Sequence, residues 1–265
     1  MKNKTKAKLK RGEIAIGHFV LEFATPGIGQ MAANAGCDYI IFDMEHSSLT
    51  EESIRLSILS SKAADVTPIV RVPYTEYFFM SRALDAGAEG IMVPWVETRD
   101  QAMKIMEFTK YPPAGRRGAA FGVAHDDYSV VDVGASAKRA NEETLIIVQT
   151  ETAKSVENVD EILSVEGIDV AWLGQTDMSI SLGIPGQYEH PKFLKAFDKI
   201  LNACEKYGVA LGYIPLNAAD AQRVIDIGAR CLSYSADIFL FSSALKDGVQ
   251  GMQKYIAAKS KSSKA

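Results

Sequence analysis

The chain has 265 residues, 47% of them apolar and 23% charged, with 29 basic against 33 acidic side chains and a formal net charge of −4. This excludes a disordered or fibrous chain and leaves enough apolar mass for a large core. Mild acidity gives no general attraction to nucleic acid or anionic membranes, and no apolar run approaches the roughly 18 residues of a membrane span. Cys37, Cys204 and Cys231 form no CxxC pair, so a reducing, cytoplasmic setting is expected.

The basic opening MKNKTKAKLKRG lacks the apolar stretch of a secretory signal. Strand-like runs follow at Ile14–Phe19, Tyr39–Asp43, Pro68–Val72, Gly90–Val93, Leu145–Gln149, Asp169–Leu173, Ala210–Ile214 and Cys231–Tyr234. They are nearly continuous in apolar residues, as strands covered on both faces are. Helical patterns separate them at Glu51–Ala63, Arg99–Thr109, Thr152–Ser164, Lys192–Tyr207 and Ala218–Ile227. Gly36, Gly87, Gly208 and Gly228 each precede a strand by a few residues, the signature of a helix C-terminus. Eight such units in about 250 residues predict a single-domain (β/α)8 TIM barrel, with a doubly wound open sheet as the competing architecture. Residues 1–12 read as a solvated, partly helical cover for the barrel bottom, and residues 258–265 as a fraying tail. Lys110–Asn141 reads as one long, functional or mobile connection.

A barrel of this kind works at the C-terminal ends of its strands. There the sequence offers Asp43-Met44-Glu45-His46, Arg71, Gln149-Thr150-Glu151 and Gly174-Gln175-Thr176-Asp177. Glu151 and Asp177 follow adjacent strands, so two hard oxygen ligands can meet a divalent ion such as Mg²⁺; helix first turns that favour acids are the plainer explanation. Arg71, at the end of a buried strand, requires an anionic partner. Either Asp43 or Glu45 fills that need structurally, or the guanidinium stabilises a developing oxyanion. His46 is either a packed or solvent-facing residue or a general base. No strand contains a lysine, which removes the nucleophile of a Schiff-base mechanism from its expected place. Pro26–Ala32 holds a GxGxxA pattern with Asp43 downstream, but a dinucleotide site would leave Arg71, Glu151 and Asp177 without a role.

The segments GCDYIIFDMEHSSLT, PIVRVP, IMVPWVET, KYPPAGRRG and VQTETAKSVENVDEILSVEGIDVAWLGQTDMSISLG resemble the HpcH/HpaI aldolase family, the class II pyruvate aldolases, from about Gly12 to Ala257. That family includes 4-hydroxy-2-oxoheptane-1,7-dioate aldolase and 2-keto-3-deoxy-sugar-acid aldolases. The resemblance implies a divalent ion (Mg²⁺, Mn²⁺ or Co²⁺) on Glu151 and Asp177, and a base His46 with Asp43 beside it. It also implies an acid, Asp85, that raises the histidine's basicity, a transition-state Arg71, a substrate-contacting Gln149, and a pyruvate carboxylate held at Thr176 and Asp177. The reaction implied is reversible cleavage of a 4-hydroxy-2-oxo acid to pyruvate and an aldehyde. Decarboxylation, C–C bond formation and acyl-CoA lysis through the same enolate are the alternative activities, and a barrel that binds metal and oxo acid without turnover is the non-enzymatic one. The family assembles as a hexamer, a trimer of dimers with exchanged C-terminal helices. Gly174–Asp177 replaces the usual G-P-A-D, and His18–Glu22 and Phe121–Tyr128 also depart from relatives. All three changes are expected around the second substrate.

Overall fold

The computed structural model describes residues 2–129 and 132–262. Its elements in chain order are α1 (Lys4–Lys10), β1 (Ala15–Val20), α2 (Ile28–Asn34), β2 (Tyr39–Asp43), α3 (Glu51–Ala63), β3 (Thr67–Arg71), α4 (Tyr77–Asp85), β4 (Gly90–Val93) and α5 (Arg99–Thr109). There follow α6 (Val133–Glu143), β5 (Leu145–Thr150), α7 (Ala153–Glu157), α8 (Val159–Leu163), β6 (Val170–Leu173), α9 (Gln175–Ser181), α10 (Pro191–Tyr207), β7 (Ala210–Tyr213), α11 (Ala218–Asp226), β8 (Cys231–Ala236) and α12 (Asp237–Ser262). All strands are parallel, and they close in sequence order with β8 against β1. Closure excludes the doubly wound sheet, and with it the dinucleotide reading of Pro26–Ala32.

Strand alternation builds two cores and the site together. Tyr39, Ile41, Ile69, Leu145, Ile147, Val170 and Trp172 fill the barrel interior, while Ile40, Phe42, Val70, Ile146 and Val148 face the helices. Side chains two residues apart share a face, so the inward rows continue as Ile41–Asp43, Ile69–Arg71 and Ile147–Gln149. The apolar layers therefore end in polar residues at the strand C-termini. Gly212 makes room for the largest interior side chain: a Cβ there would collide with the Trp172 ring and lie 2.9 Å from Val170 Cγ1.

The four glycines expected at helix ends all have positive φ, from +68° at Gly208 to +107° at Gly87. Other expectations need correction. α1 lies under the barrel as expected, with Lys4 and Lys10 exposed, but one face of it is buried. Thr5 and Leu9 are buried, and Lys6 Nζ donates to the Thr144 carbonyl and Asp169 Oδ2 at 2.8 and 2.9 Å. The long connection ends in a helix: Asp132 accepts from the Ala135 N–H and starts α6, a start disguised by Gly134 in the first turn. Thr152–Ser164 is two short helices, parted where Asn158 turns its Nδ2 to the Glu97 carbonyl at 2.8 Å. The tail expected to fray from residue 258 remains helical through Ser262, and residues 263–265 lie outside the described residues.

Lys110 is packed beneath the barrel with its Nζ donating to the Asn141 and Thr144 carbonyls. Burial, with Lys6 nearby, lowers its pKa to about 7. An unfolded lysine titrates near ~10.4, so between these values the unfolded chain binds more protons and stability rises with pH. The unfolding free energy from urea titrations should climb by about 2 kcal/mol between pH 7 and 9, and Lys110→Met should flatten that slope. A parallel rise in both proteins would contradict the assignment.

Candidate active site

At the barrel mouth lies a cavity of about 560 Å³ whose walls include His46, Arg71, Gln149, Trp172, Thr176 and Asp177. Arg71 lines it, and Asp43, buried behind, is the arginine's partner in register across β2 and β3. Asp43 is fully buried and grips the guanidinium through both oxygens, with Nε–Oδ1 at 2.9 Å and Nη2 on Oδ2. Asp43 Oδ1 also accepts the N–H groups of Glu45 and His46 at 2.9 and 3.2 Å, so one carboxylate fixes both the arginine and the turn that carries the histidine. Arg71 Nη1 faces Glu45 Oε2 at 3.3 Å, and the guanidinium stacks 5.3 Å from the Phe19 ring centre. Burial opposes its charge, but the hydrogen bond to Asp43 and the fields of Asp43, Glu45 and Glu151 outweigh that and raise its pKa. Arg71 is therefore structurally paired and still lines the cavity.

Glu151 follows β5 and is buried. Its Oε1 accepts the Trp95 N–H at 2.8 Å, and its Oε2 accepts Gln149 Nε2 at 2.7 Å. Burial pushes its pKa up to about 7; the Trp95 hydrogen bond works against this, and Glu45 and Asp177 add to it. Burial raises Glu45 too, with Arg71 opposing. Asp177 stands in the first turn of α9. Gln175 sends Nε2 to the Ile214 carbonyl at 2.7 Å and ties this turn to the segment after β7.

Asp43, Glu45 and Glu151 thus surround the single guanidinium of Arg71, and Asp177 adds its charge beside Glu45 and Glu151. Gln149 Oε1 is buried without a hydrogen-bond partner, and Glu45 Oε2 has only ion-pair contacts, the nearer with Arg71. An excess of buried carboxylate with an unpaired acceptor beside it fits a hard dication. Among the described residues no three His, Cys, Asp or Glu side chains converge as a complete cage; Glu151 and Asp177 would leave the other positions to water and substrate oxygens. Gly174 belongs to this fit, because a Cβ there would lie 2.8 Å from Glu151 Cβ and closer still to Oε2. Gly174→Ala is expected to displace the carboxylate and cut metal-dependent turnover by ~10-fold or more, in the range for groups that orient a ligand. Unchanged activity would show that Glu151 need not stay where it is.

The structure does not bring every expected residue here. Asp85 ends α4, at the opposite end of the barrel, where its carboxylate binds the buried Arg117 at 2.6 Å; within one chain it cannot act on His46. Phe121–Tyr128 is also remote, with Ala124 accepting from Lys62 at the end of α3, so this departure from relatives does not shape the mouth. Glu45 was read only as a partner for Arg71; its place between Asp43 and His46 was the available signal for more. The Trp95 N–H had none, since every residue but proline carries one.

The comparisons name the class. Residues 16–244 match the HpcH/HpaI aldolase/citrate lyase family model. The chain is 34% identical over 237 residues to the hydroxypyruvate/pyruvate aldolase of Roseobacter denitrificans, covering 89% of this chain and 91% of that protein. It is 30% identical over 252 residues to the 2-keto-3-deoxy-L-rhamnonate aldolase of Salmonella gallinarum, at 92% and 91% coverage. The crystal structure of an HpcH/HpaI aldolase from Desulfitobacterium hafniense DCB-2 superposes with a TM-score of 0.90 at 33% identity, over 94% of this chain and 96% of that one. The chain belongs to the HpcH/HpaI aldolase/citrate lyase family and is a class II pyruvate aldolase, a carbon–carbon lyase.

Proposed function

We propose that this aldolase is divalent-metal-dependent and reversibly cleaves a 4-hydroxy-2-oxo acid to pyruvate and an aldehyde. The observation that carries the reading is that Arg71 and Asp177 line the cavity while Asp43 and Glu45 pair with Arg71 and the buried Glu151 feels both Arg71 and Asp177. Glu151 and Asp177 would hold Mg²⁺, Mn²⁺ or Co²⁺, which would supply Lewis acidity at the 2-oxo carbonyl. Arg71, locked by Asp43, presents its guanidinium where negative charge develops as the bond breaks, at little reorganisation cost. Gln149 lines the same wall with a free Oε1, suited to a hydroxyl or water donor. The turn at Thr176 and Asp177 receives the pyruvate carboxylate end. His46 is half-exposed at the rim, Nε2 3.6 Å from Glu45 Oε2, and takes the 4-hydroxyl proton in cleavage.

Beyond these groups the cavity wall is Leu21, Ile214, Pro215, Leu216, Tyr234 and Phe239. It offers no cation to a second carboxylate, so the aldehyde is read as uncharged. Pyruvate supplied with short uncharged aldehydes should give metal-dependent condensation that EDTA abolishes, with a carboxylate-bearing aldehyde a poor partner. EDTA-resistant turnover would overturn the metal reading, and preference for the acid aldehyde would overturn the wall assignment.

We further propose that the working form is the family's hexamer, a trimer of dimers. From Phe239 onward every described residue of α12 is exposed, including Leu245, Val249, Met252, Tyr255 and Ile256, a surface that a second copy would cover. Assembly also offers Asp85, exposed on the far face, a His46 in another subunit. Inactive His46→Ala and Asp85→Asn proteins, dissociated and reassembled together, should then regain activity; no regain counts against the shared site. No helix among the described residues is long and apolar enough to cross a membrane. The three free cysteines favour a cytoplasmic location, which fractionation would check.

A further inference from the structure

Trp95 lies in the turn between β4 and α5 with φ +54°, a left-handed conformation that a bulky residue keeps only when its surroundings impose it. The indole does not account for it: the side chain is 45% exposed and lies outside the walls of the mouth cavity. The backbone does. The Trp95 N–H donates to Glu151 Oε1 at 2.8 Å, and the Trp95 carbonyl accepts Gln101 Nε2 at 3.2 Å. Gln101 is itself held, because its Oε1 accepts the N–H groups of Glu97 and Thr98 at 2.8 and 3.1 Å in the capping box of α5.

The rest of the turn is fastened to β5 on either side of Glu151. The Val96 N–H donates to the Gln149 carbonyl at 3.3 Å, and Thr152 Oγ1 donates to Glu97 Oε1 at 2.9 Å. With residues 96–101 anchored in this way, returning φ of residue 95 to the negative range would rotate the preceding peptide plane. The N–H would then leave Glu151.

We propose that Trp95 is a positioning residue whose left-handed backbone, held by Gln101, aims a peptide N–H at Glu151 and fixes the orientation in which that carboxylate meets a divalent cation. The inference rests on Glu151 being a ligand, as read above. The role belongs to the main chain, so it makes an unusual demand on substitution. Glycine enters the left-handed region freely and keeps the N–H, whereas a β-branched residue is the poorest occupant of that conformation.

The test is calorimetric titration of Mn²⁺ into metal-free protein, with thermal unfolding run alongside. Trp95→Gly should hold Kd within ~3-fold of the parent despite losing the whole indole. Trp95→Val should raise Kd by ~10-fold or more, the range for groups that orient a metal ligand. Gln101→Met, which frees the Trp95 carbonyl, should shift Kd in the same direction and supplies the answer if the valine variant does not fold. Glu151→Gln in the same titration separates the two levels: parental binding there sinks the ligand reading itself. Lost binding in Glu151→Gln with parental Kd in Trp95→Val and Gln101→Met overturns only the positioning role. So does a glycine variant as weak as the valine one.

Discussion

Arg71→Ala is expected to lower turnover by at least ~100-fold, the cost of removing one preorganised donor from a developing oxyanion. It should also destabilise the fold, because Asp43 is fully buried and loses the cation on both its oxygens. Breaking such a pair typically costs ~3–5 kcal/mol. Arg71→Lys separates the two effects. It keeps a charge against Asp43 but loses the planar fork that holds Asp43 and faces the cavity at once, so it should recover much of the urea midpoint and little of the turnover. Near-parental kcat in the alanine variant would reduce Arg71 to a structural counter-ion.

The second large effect is at Glu151. Glu151→Gln preserves shape and leaves an oxygen to accept the Trp95 N–H, yet removes the charge a dication requires. Metal-stimulated activity should vanish, a larger loss than the ~10–100-fold typical of residues one step removed from a metal. Without metal the variant should be as stable as the parent or more so, since a buried carboxylate beside Glu45 and Asp177 is replaced by a neutral amide. Loss of function with unchanged or raised Tm distinguishes a ligand from a structural acid. If activity persists and EDTA still abolishes it, the metal sits elsewhere.

The two residues differ in how openly the sequence announces them. Arg71 stands in PIVRVP, where a charge at the end of an apolar strand is conspicuous, and its neighbour in register, Asp43, is equally so in YIIFD. Glu151 and Asp177 lie beyond strands five and six, and knowing where barrels do their chemistry was enough to select them. Asp85 came from resemblance alone, which matches positions along a chain and says nothing of which copy's site a residue serves. Its pairing with Arg117 at the far end of the barrel could not be read from LDAGAEG.

Periodicity and turn chemistry are short-range properties, written within a few residues, and they sufficed for the eight strands, the helix-ending glycines and the inward rows that finish in Asp43, Arg71 and Gln149. Folding was needed to settle how those rows meet. The crowding of Glu45 and Glu151 about one guanidinium, the burial of Lys6 and Lys110 beneath the barrel, and the strained turn that aims the Trp95 N–H all depend on how separate strand–helix units pack together. Packing joins segments from about 26 to more than 130 residues apart, and a peptide N–H carries no side-chain letter by which a sequence could reveal it.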